Sequence, residues 1–274
     1  MRAVRTPSAL VAVAALTIAA APASADEPCR VNPLDCVALH QFSATAAAAS
    51  DALFVTSLAL PVGLELGRDV DDDSLRRGLA YGGAVGVTAL AAMIFKVTVR
   101  RPRPYTYSRE PGVQAFARVA KGNDHSFFSG HTSLAFAAAT SGGILASAVA
   151  GDDRGRYGRW ALGGALAAST GIFRIRAGKH FPSDVLVGAA VGTAAGVGIT
   201  LALAPATTLR WQDAAAFGGG IALGAAVAAL VPMPHDVVLP LGGSGGVLLE
   251  GPLVLTPVPL PAGGVGLGLT ALLR

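Results

Sequence analysis

The chain has 274 residues, 52% of them apolar, and only 14% charged, where ordinary soluble domains carry about 25%. This composition, with a mean hydropathy of +0.55, excludes a disordered or highly solvated protein and predicts one domain with a large core or a body in lipid. The net charge of +4 is spread without a Lys/Arg run and aromatic residues are 6%, which argues against a nucleic-acid partner.

Residues 1–25 read as a secretory signal peptide: Arg2 and Arg5 form the basic start, residues 9–20 an apolar run, and Ala23-Ser24-Ala25 a small-residue cleavage site. Twelve residues are short for a membrane span of about 20, so export with cleavage before Asp26 is expected. An N-terminal segment, 26–43, follows with the only two cysteines, Cys29 and Cys36. In an oxidising compartment they read as a local disulfide. Only His40 stands close enough to extend them into a metal site, and Ala25-Asp26-Glu27-Pro28 does not resemble a lipoprotein cleavage box.

Residues 44–233 alternate apolar stretches (44–66, 79–95, 132–150, 160–173, 185–204 and 214–231) with short polar connections. They lack the period-2 pattern of strands and are rich in Ala and Gly, so the predicted fold class is all-α, a membrane-embedded six-helix bundle. Pro61 interrupts the first stretch, and 160–173 is short for a crossing. Six crossings with an exported N-terminus would put the connections at 100–130 and 174–184 on the outer face. Basic residues occur on both sides, so charge bias does not assign the orientation. The Pro/Gly-rich tail, 234–274, is expected to be extended or to form short β-strands.

Three clusters carry chemistry. Lys96 ends an apolar helix and is followed by Arg100, Arg101 and Arg103 in a Pro-stiffened turn; alone, this reads as a basic collar or as an anion clamp. Tyr105 and Tyr107 beside it read as interfacial aromatics. Ser129-Gly130-His131 opens the next apolar run, where backbone N–H groups and the helix dipole favour an anion, although a capping Ser and a surface His would look the same. The third cluster sets His180 five residues after Arg174 and Asp184 four residues after His180. With Pro182 opening a helix, that spacing lets the carboxylate reach the imidazole and leave the other ring nitrogen as nucleophile or base. Up-and-down topology returns all three clusters to one end of the bundle, which predicts a phosphate site with a nucleophile and an acid.

These residues resemble the type 2 phosphatidic acid phosphatase superfamily, with its ordered motifs K-x6-R-P, P-S-G-H and S-R-x5-H-x3-D. Lys96, Arg103 and Pro104 match the first, Ser129, Gly130 and His131 the second, and Arg174, His180 and Asp184 the third. Phe128 stands where the family has Pro, and Phe173 where it has Ser. The resemblance covers about residues 80–200. It implies that His180 is the nucleophile, that Asp184 orients and charges it, and that His131 protonates the leaving oxygen. It also implies that Lys96, Arg103, Ser129, Gly130 and Arg174 bind the phosphoryl oxygens, with no metal or cofactor. Chemically, fixed cations can stabilise the equatorial oxygens and a phosphohistidine divides one hard step into two.

The expected function is hydrolysis of lipid phosphate monoesters or polyprenyl diphosphates in the cell envelope, with membrane and phosphorylated lipid as partners and no assigned oligomeric state. The competing readings are a secreted acid phosphatase for soluble organic phosphates, a vanadium haloperoxidase, and a non-enzymatic protein binding anionic lipid.

Overall fold

Each apolar stretch forms a long helix, and a short helix joins them within the Arg-rich connection. In chain order these are α1 (Ala44–Leu66), α2 (Ser74–Val99), α3 (Pro111–Val119), α4 (Gly130–Ala148), α5 (Asp153–Arg176), α6 (Pro182–Leu203) and α7 (Trp211–Leu230). The computed structural model describes residues 32–66, 73–149, 151–204 and 208–236, and the backbone of 253–259 and 265–271. The expected signal segment and Cys29 lie outside these described residues. Cys36 is disulfide-bonded, and Cys29 is the one other cysteine in the sequence.

Helix α3 corrects the six-helix count. Pro111 starts it without losing a needed N–H, and Val113 and Phe116 bury against Phe42 and Tyr105. Tyr105 is therefore a core residue rather than an interfacial one. Helix α5 extends beyond 160–173 because Asp152 caps it, its Oδ1 accepting from the Gly155 N–H at 2.7 Å. Pro61 does not break α1, which is continuous over 23 residues. Its ring lies over Gly142, where a Cβ would come within 2.6 Å of the Pro61 Cγ.

Helix α4 is the centre of the bundle, touching α1, α2, α5 and α6, while α7 packs on α5. It holds no Asp, Glu, Lys or Arg, as burial on every side demands. The contacts are made by small residues that let backbones approach. Gly188, Gly192 and Gly196 recur every fourth residue on the α6 face toward α4, and a Cβ at Gly192 would lie 2.0 Å from the Ser133 carbonyl oxygen. Gly220 meets Ala161 of α5 equally closely.

The outer surface has the reverse composition. On α2, Ala80, Ala84, Thr88 and Ala92 face inward, while Leu79, Val87, Leu90, Ile94 and Phe95 are exposed. Small residues inside and large apolar ones outside suit a bundle solvated by lipid. Among the described residues, four helical segments are long and apolar enough to cross a membrane: Ala44–Glu65, Ser74–Tyr107, Pro182–Leu203 and Trp211–Leu230. The Ser, Thr and Gly content of α4 and the charges of α5 keep those two outside the set.

Alternating helix direction gathers the C-termini of α2, α5 and α7 and the N-termini of α1, α4 and α6 at one end. Backbone hydrogen bonds tie that end together, from Ser129 N–H to the Asp184 carbonyl (3.1 Å) and from Tyr105 N–H to the Gly178 carbonyl (3.2 Å). At the opposite end Arg156 of α5 forms a buried ion pair with Asp213 of α7. The tail contains the expected strands: β1 (Leu253–Pro259) pairs antiparallel with β2 (Val265–Ala271).

Gly192→Val should destabilise the protein by about 3 kcal/mol or more, since the added atoms meet backbone that cannot yield. Gly218→Val, at a position with nothing within 4 Å, should leave the melting temperature in detergent unchanged. Equal melting of the two variants would contradict packing through the small-residue face.

Candidate active site

The site occupies the end where the helix termini meet, and local geometry brings each motif there. Lys96 lies in the last turn of α2, and its Nζ would be 3.3 Å from a Cβ placed on Gly130. A side chain at position 130 would therefore crowd that ammonium beside the first turn of α4. Ser129 is the N-cap of α4, and its Oγ contacts the Thr132 hydroxyl at 2.8 Å. The capping reading of Ser129 is the geometry observed. Arg103 is buried in the turn after α2, with its backbone N–H bonded to the Asn123 carbonyl.

Helix α5 ends at Arg176, and two residues on Gly178 takes a φ of +68° that suits glycine. A Cβ there would lie 2.4 Å from the Gln41 carbonyl oxygen, so the close turn into Lys179 and His180 depends on its absence. His180 is buried, and its Nδ1 lies 2.7 Å from the Ser126 carbonyl oxygen. A carbonyl only accepts, so Nδ1 carries the proton and Nε2 keeps the lone pair.

Asp184 does not hold His180 directly, contrary to the spacing argument. Its Oδ2 is 4.0 Å from His180 Nδ1, because its oxygens are engaged elsewhere. Oδ2 accepts from the Ser126 hydroxyl (2.6 Å) and the Phe181 N–H (2.9 Å), and Oδ1 accepts from Arg101 Nη1 (2.6 Å). The carboxylate acts on the imidazole through Ser126.

His131 projects from the first turn of α4 toward α1. Its Nε2 is 3.1 Å from Asp51 Oδ1, and its ring stacks at a tilt on Phe54, with centroids 4.4 Å apart. Arg174 Nη1 donates to the same Asp51 oxygen at 3.0 Å. One carboxylate on α1 therefore joins the second motif to the third.

The eight expected residues are brought together, and five others accompany them. Asp51 had a sequence signal, as an acidic residue within an otherwise apolar stretch. Lys179 also lies inside a motif, buried with its Nζ 5.4 Å from the Phe116 ring centroid. Arg101, Ser126 and Asp35 join through long-range contacts that spacing alone does not reveal. Of the arginine cluster, Arg100 pairs on the surface with Asp124 at 2.8 Å. Among the described residues, no group of three or more His, Cys, Asp or Glu side chains is placed to hold a metal ion.

The electrostatics favour neutral imidazoles. Burial, reinforced by the positive charges of Arg174, Arg103 and Lys96, holds His180 well below the ordinary histidine pKa, against the opposing hydrogen bond to the Ser126 carbonyl. Burial is also the main cause at His131, followed by Arg174; with Lys96 they lower its pKa to about 4 despite Asp51.

The PAP2 superfamily model matches residues 77–207, a span that contains all three motifs. This part of the chain is similar to the PAP2 superfamily, and that likeness supports a phosphatase-type function. No curated protein and no solved structure matches the chain.

An anion among these cations should raise the pKa of His131 above about 4 and so take up a proton on binding. The sign follows: affinity for sulfate, whose charge is constant over the range, should tighten as pH falls from 7 toward 5. Calorimetry in buffers of different ionisation enthalpy would detect the uptake; pH-independent affinity with no proton uptake would contradict this coupling.

Proposed function

We propose that this protein is a metal-independent phosphatase that hydrolyses lipid phosphate monoesters or polyprenyl diphosphates through a phosphohistidine. The observation carrying the reading is the neutral His180, with Nδ1–H donated to the Ser126 carbonyl, beside Lys96, Arg103 and Arg174 and within one site with His131. Lys96, Arg103 and Arg174 hold the equatorial phosphoryl oxygens together with N–H groups at the start of α4. The Nε2 lone pair attacks phosphorus in line with the leaving oxygen. As the N–P bond forms the P–O bond breaks, and His131 gives its proton to the departing alkoxide or phosphate. His131 holds that proton because binding of the phosphate dianion raises its pKa and draws one from solvent; water then gives a proton back to His131 and attacks the phosphohistidine, releasing inorganic phosphate and restoring His180.

A lipid substrate is supported by the surface beside Lys96. Met93, Ile94, Phe95 and Val97 of α2 are exposed, so an acyl or prenyl chain can lie along α2 while its phosphate reaches the ammonium. Phe95 also meets Phe127 and Phe128, at 6.1 and 5.5 Å between centroids, lengthening the apolar wall. We assign the site to the outer face of the membrane of an exported protein, consistent with the signal-like sequence of residues 1–25.

Phosphate release by the purified protein should be tested with EDTA present on phosphatidate, a polyprenyl diphosphate and an aryl phosphate. His180→Ala should abolish release. His131→Ala should reduce release from lipid monoesters by about 10²- to 10⁴-fold and, with the aryl phosphate, whose leaving group needs no proton, accumulate an acid-labile, alkali-stable phosphoenzyme. Activity on the aryl phosphate alone would replace the lipid reading with a soluble-substrate acid phosphatase. Undiminished activity in His180→Ala would overturn the mechanism.

A further inference from the structure

Asp35 is buried in the 3-10 turn Pro33–His40, outside the matched family region and next to the disulfide-bonded Cys36. Its contacts lead into the site. Oδ2 accepts from Arg101 Nη2 (2.7 Å) and the Ser183 hydroxyl (2.8 Å), while Oδ1 accepts from the Ser183 N–H (3.0 Å). Ser183 is the second residue of α6, and its hydroxyl also accepts from Arg101 Nη1 at 2.8 Å. Asp35 thus satisfies a first-turn N–H that Phe181, the N-cap residue, has no side-chain oxygen to reach.

Arg101 is the next link. Its guanidinium bridges Asp35 and Asp184 and lies 4.1 Å from the Phe181 ring centroid. Its backbone carbonyl accepts the Ser126 N–H at 2.9 Å. The Ser126 hydroxyl donates to Asp184. Arg101 and Asp184 therefore hold Ser126 by its N–H and its side chain, leaving its carbonyl to accept the His180 Nδ1–H.

We propose, on the phosphatase reading above, that Asp35 is a positioning residue for the nucleophile. It fixes Arg101 between two carboxylates, so that Asp184 stays turned toward Ser126 and Ser126 keeps His180 in the Nδ1–H tautomer. Without the Asp35 charge, Arg101 has one carboxylate left and draws Asp184 from Ser126, and the imidazole loses its fixed orientation. The phosphate-binding cations are untouched, so the effect falls on turnover rather than on substrate capture.

The test compares wild type, Asp35→Asn, Arg101→Lys and the double variant in the full exported protein in detergent. Asp35→Asn keeps the side-chain volume but turns an N–H₂ or a neutral oxygen toward Arg101. Expected is a fall in kcat of about tenfold or more, with KM within about twofold and the melting temperature within a few degrees of wild type. The double variant should be no slower than the slower single one, since both break the same chain. Independently of turnover, the slowly exchanging His180 Nδ1–H resonance, assigned with His180→Ala in ring-labelled protein, should be present in wild type and lost in Asp35→Asn.

Unchanged kcat with an unchanged His180 resonance would overturn the proposal. So would a loss of activity that follows loss of folded protein in both single variants, because Asp35 would then serve the fold alone. If wild-type protein releases no phosphate from any substrate, the phosphatase reading fails while the resonance still decides whether Asp35 orients His180.

Discussion

Positive charge gathered at one end of an apolar bundle is the constraint on which the site depends. Lys96 and Arg174 come from the last turns of α2 and α5 and Arg103 from the turn after α2, and their combined field acts on His180. Such charges are expensive to bury. The bundle meets that cost where it can be met, at helix termini whose backbone groups and polar side chains are available, and not along the lipid-facing midsections. Together with burial, the larger cause, the same field keeps His180 neutral, which preserves the lone pair that a nucleophilic histidine requires.

The carboxylates divide into two sets with different tasks. Asp51 faces the cations and binds both Arg174 and His131, making α1 part of the site although it lies outside the matched region. Asp184 and Asp35 turn instead toward Arg101. That division leaves Asp51 as the acidic group paired with an anion-binding cation, while Asp35 and Asp184 are taken up by Arg101. It also explains why two arginines two residues apart behave differently: Arg101 joins the supporting frame, whereas Arg103 contributes to the field at His180.

What could be read in the sequence was what repeats locally. The six long helices follow from unbroken apolar runs, and the three motifs from short-range spacing. Helix α3 was not legible because its apolar residues, Val113 and Phe116, acquire meaning only against Phe42 and Tyr105. The four-residue spacing of His180 and Asp184 correctly placed both at the start of α6 but implied a direct bond. Nothing local indicates that the Ser126 carbonyl takes the imidazole proton, since the contact spans 54 residues. Asp35 is further still, 148 residues from Ser183.

The two departures from the family motifs find their reasons in packing. Phe128 is buried against Phe95 and Phe127, so side-chain contacts anchor the residue before Ser129 where a proline would instead restrict φ. Phe173 lies with Ala46 and Ala47 of α1, Ala177 and Ala228. It therefore helps to hold α1 against α5, and α1 is the helix that brings Asp51 to His131 and Arg174. A serine hydroxyl at position 173 could act only where it reached the phosphate directly. The phenyl ring works one step further out, by fixing the helix whose carboxylate orients two members of the site.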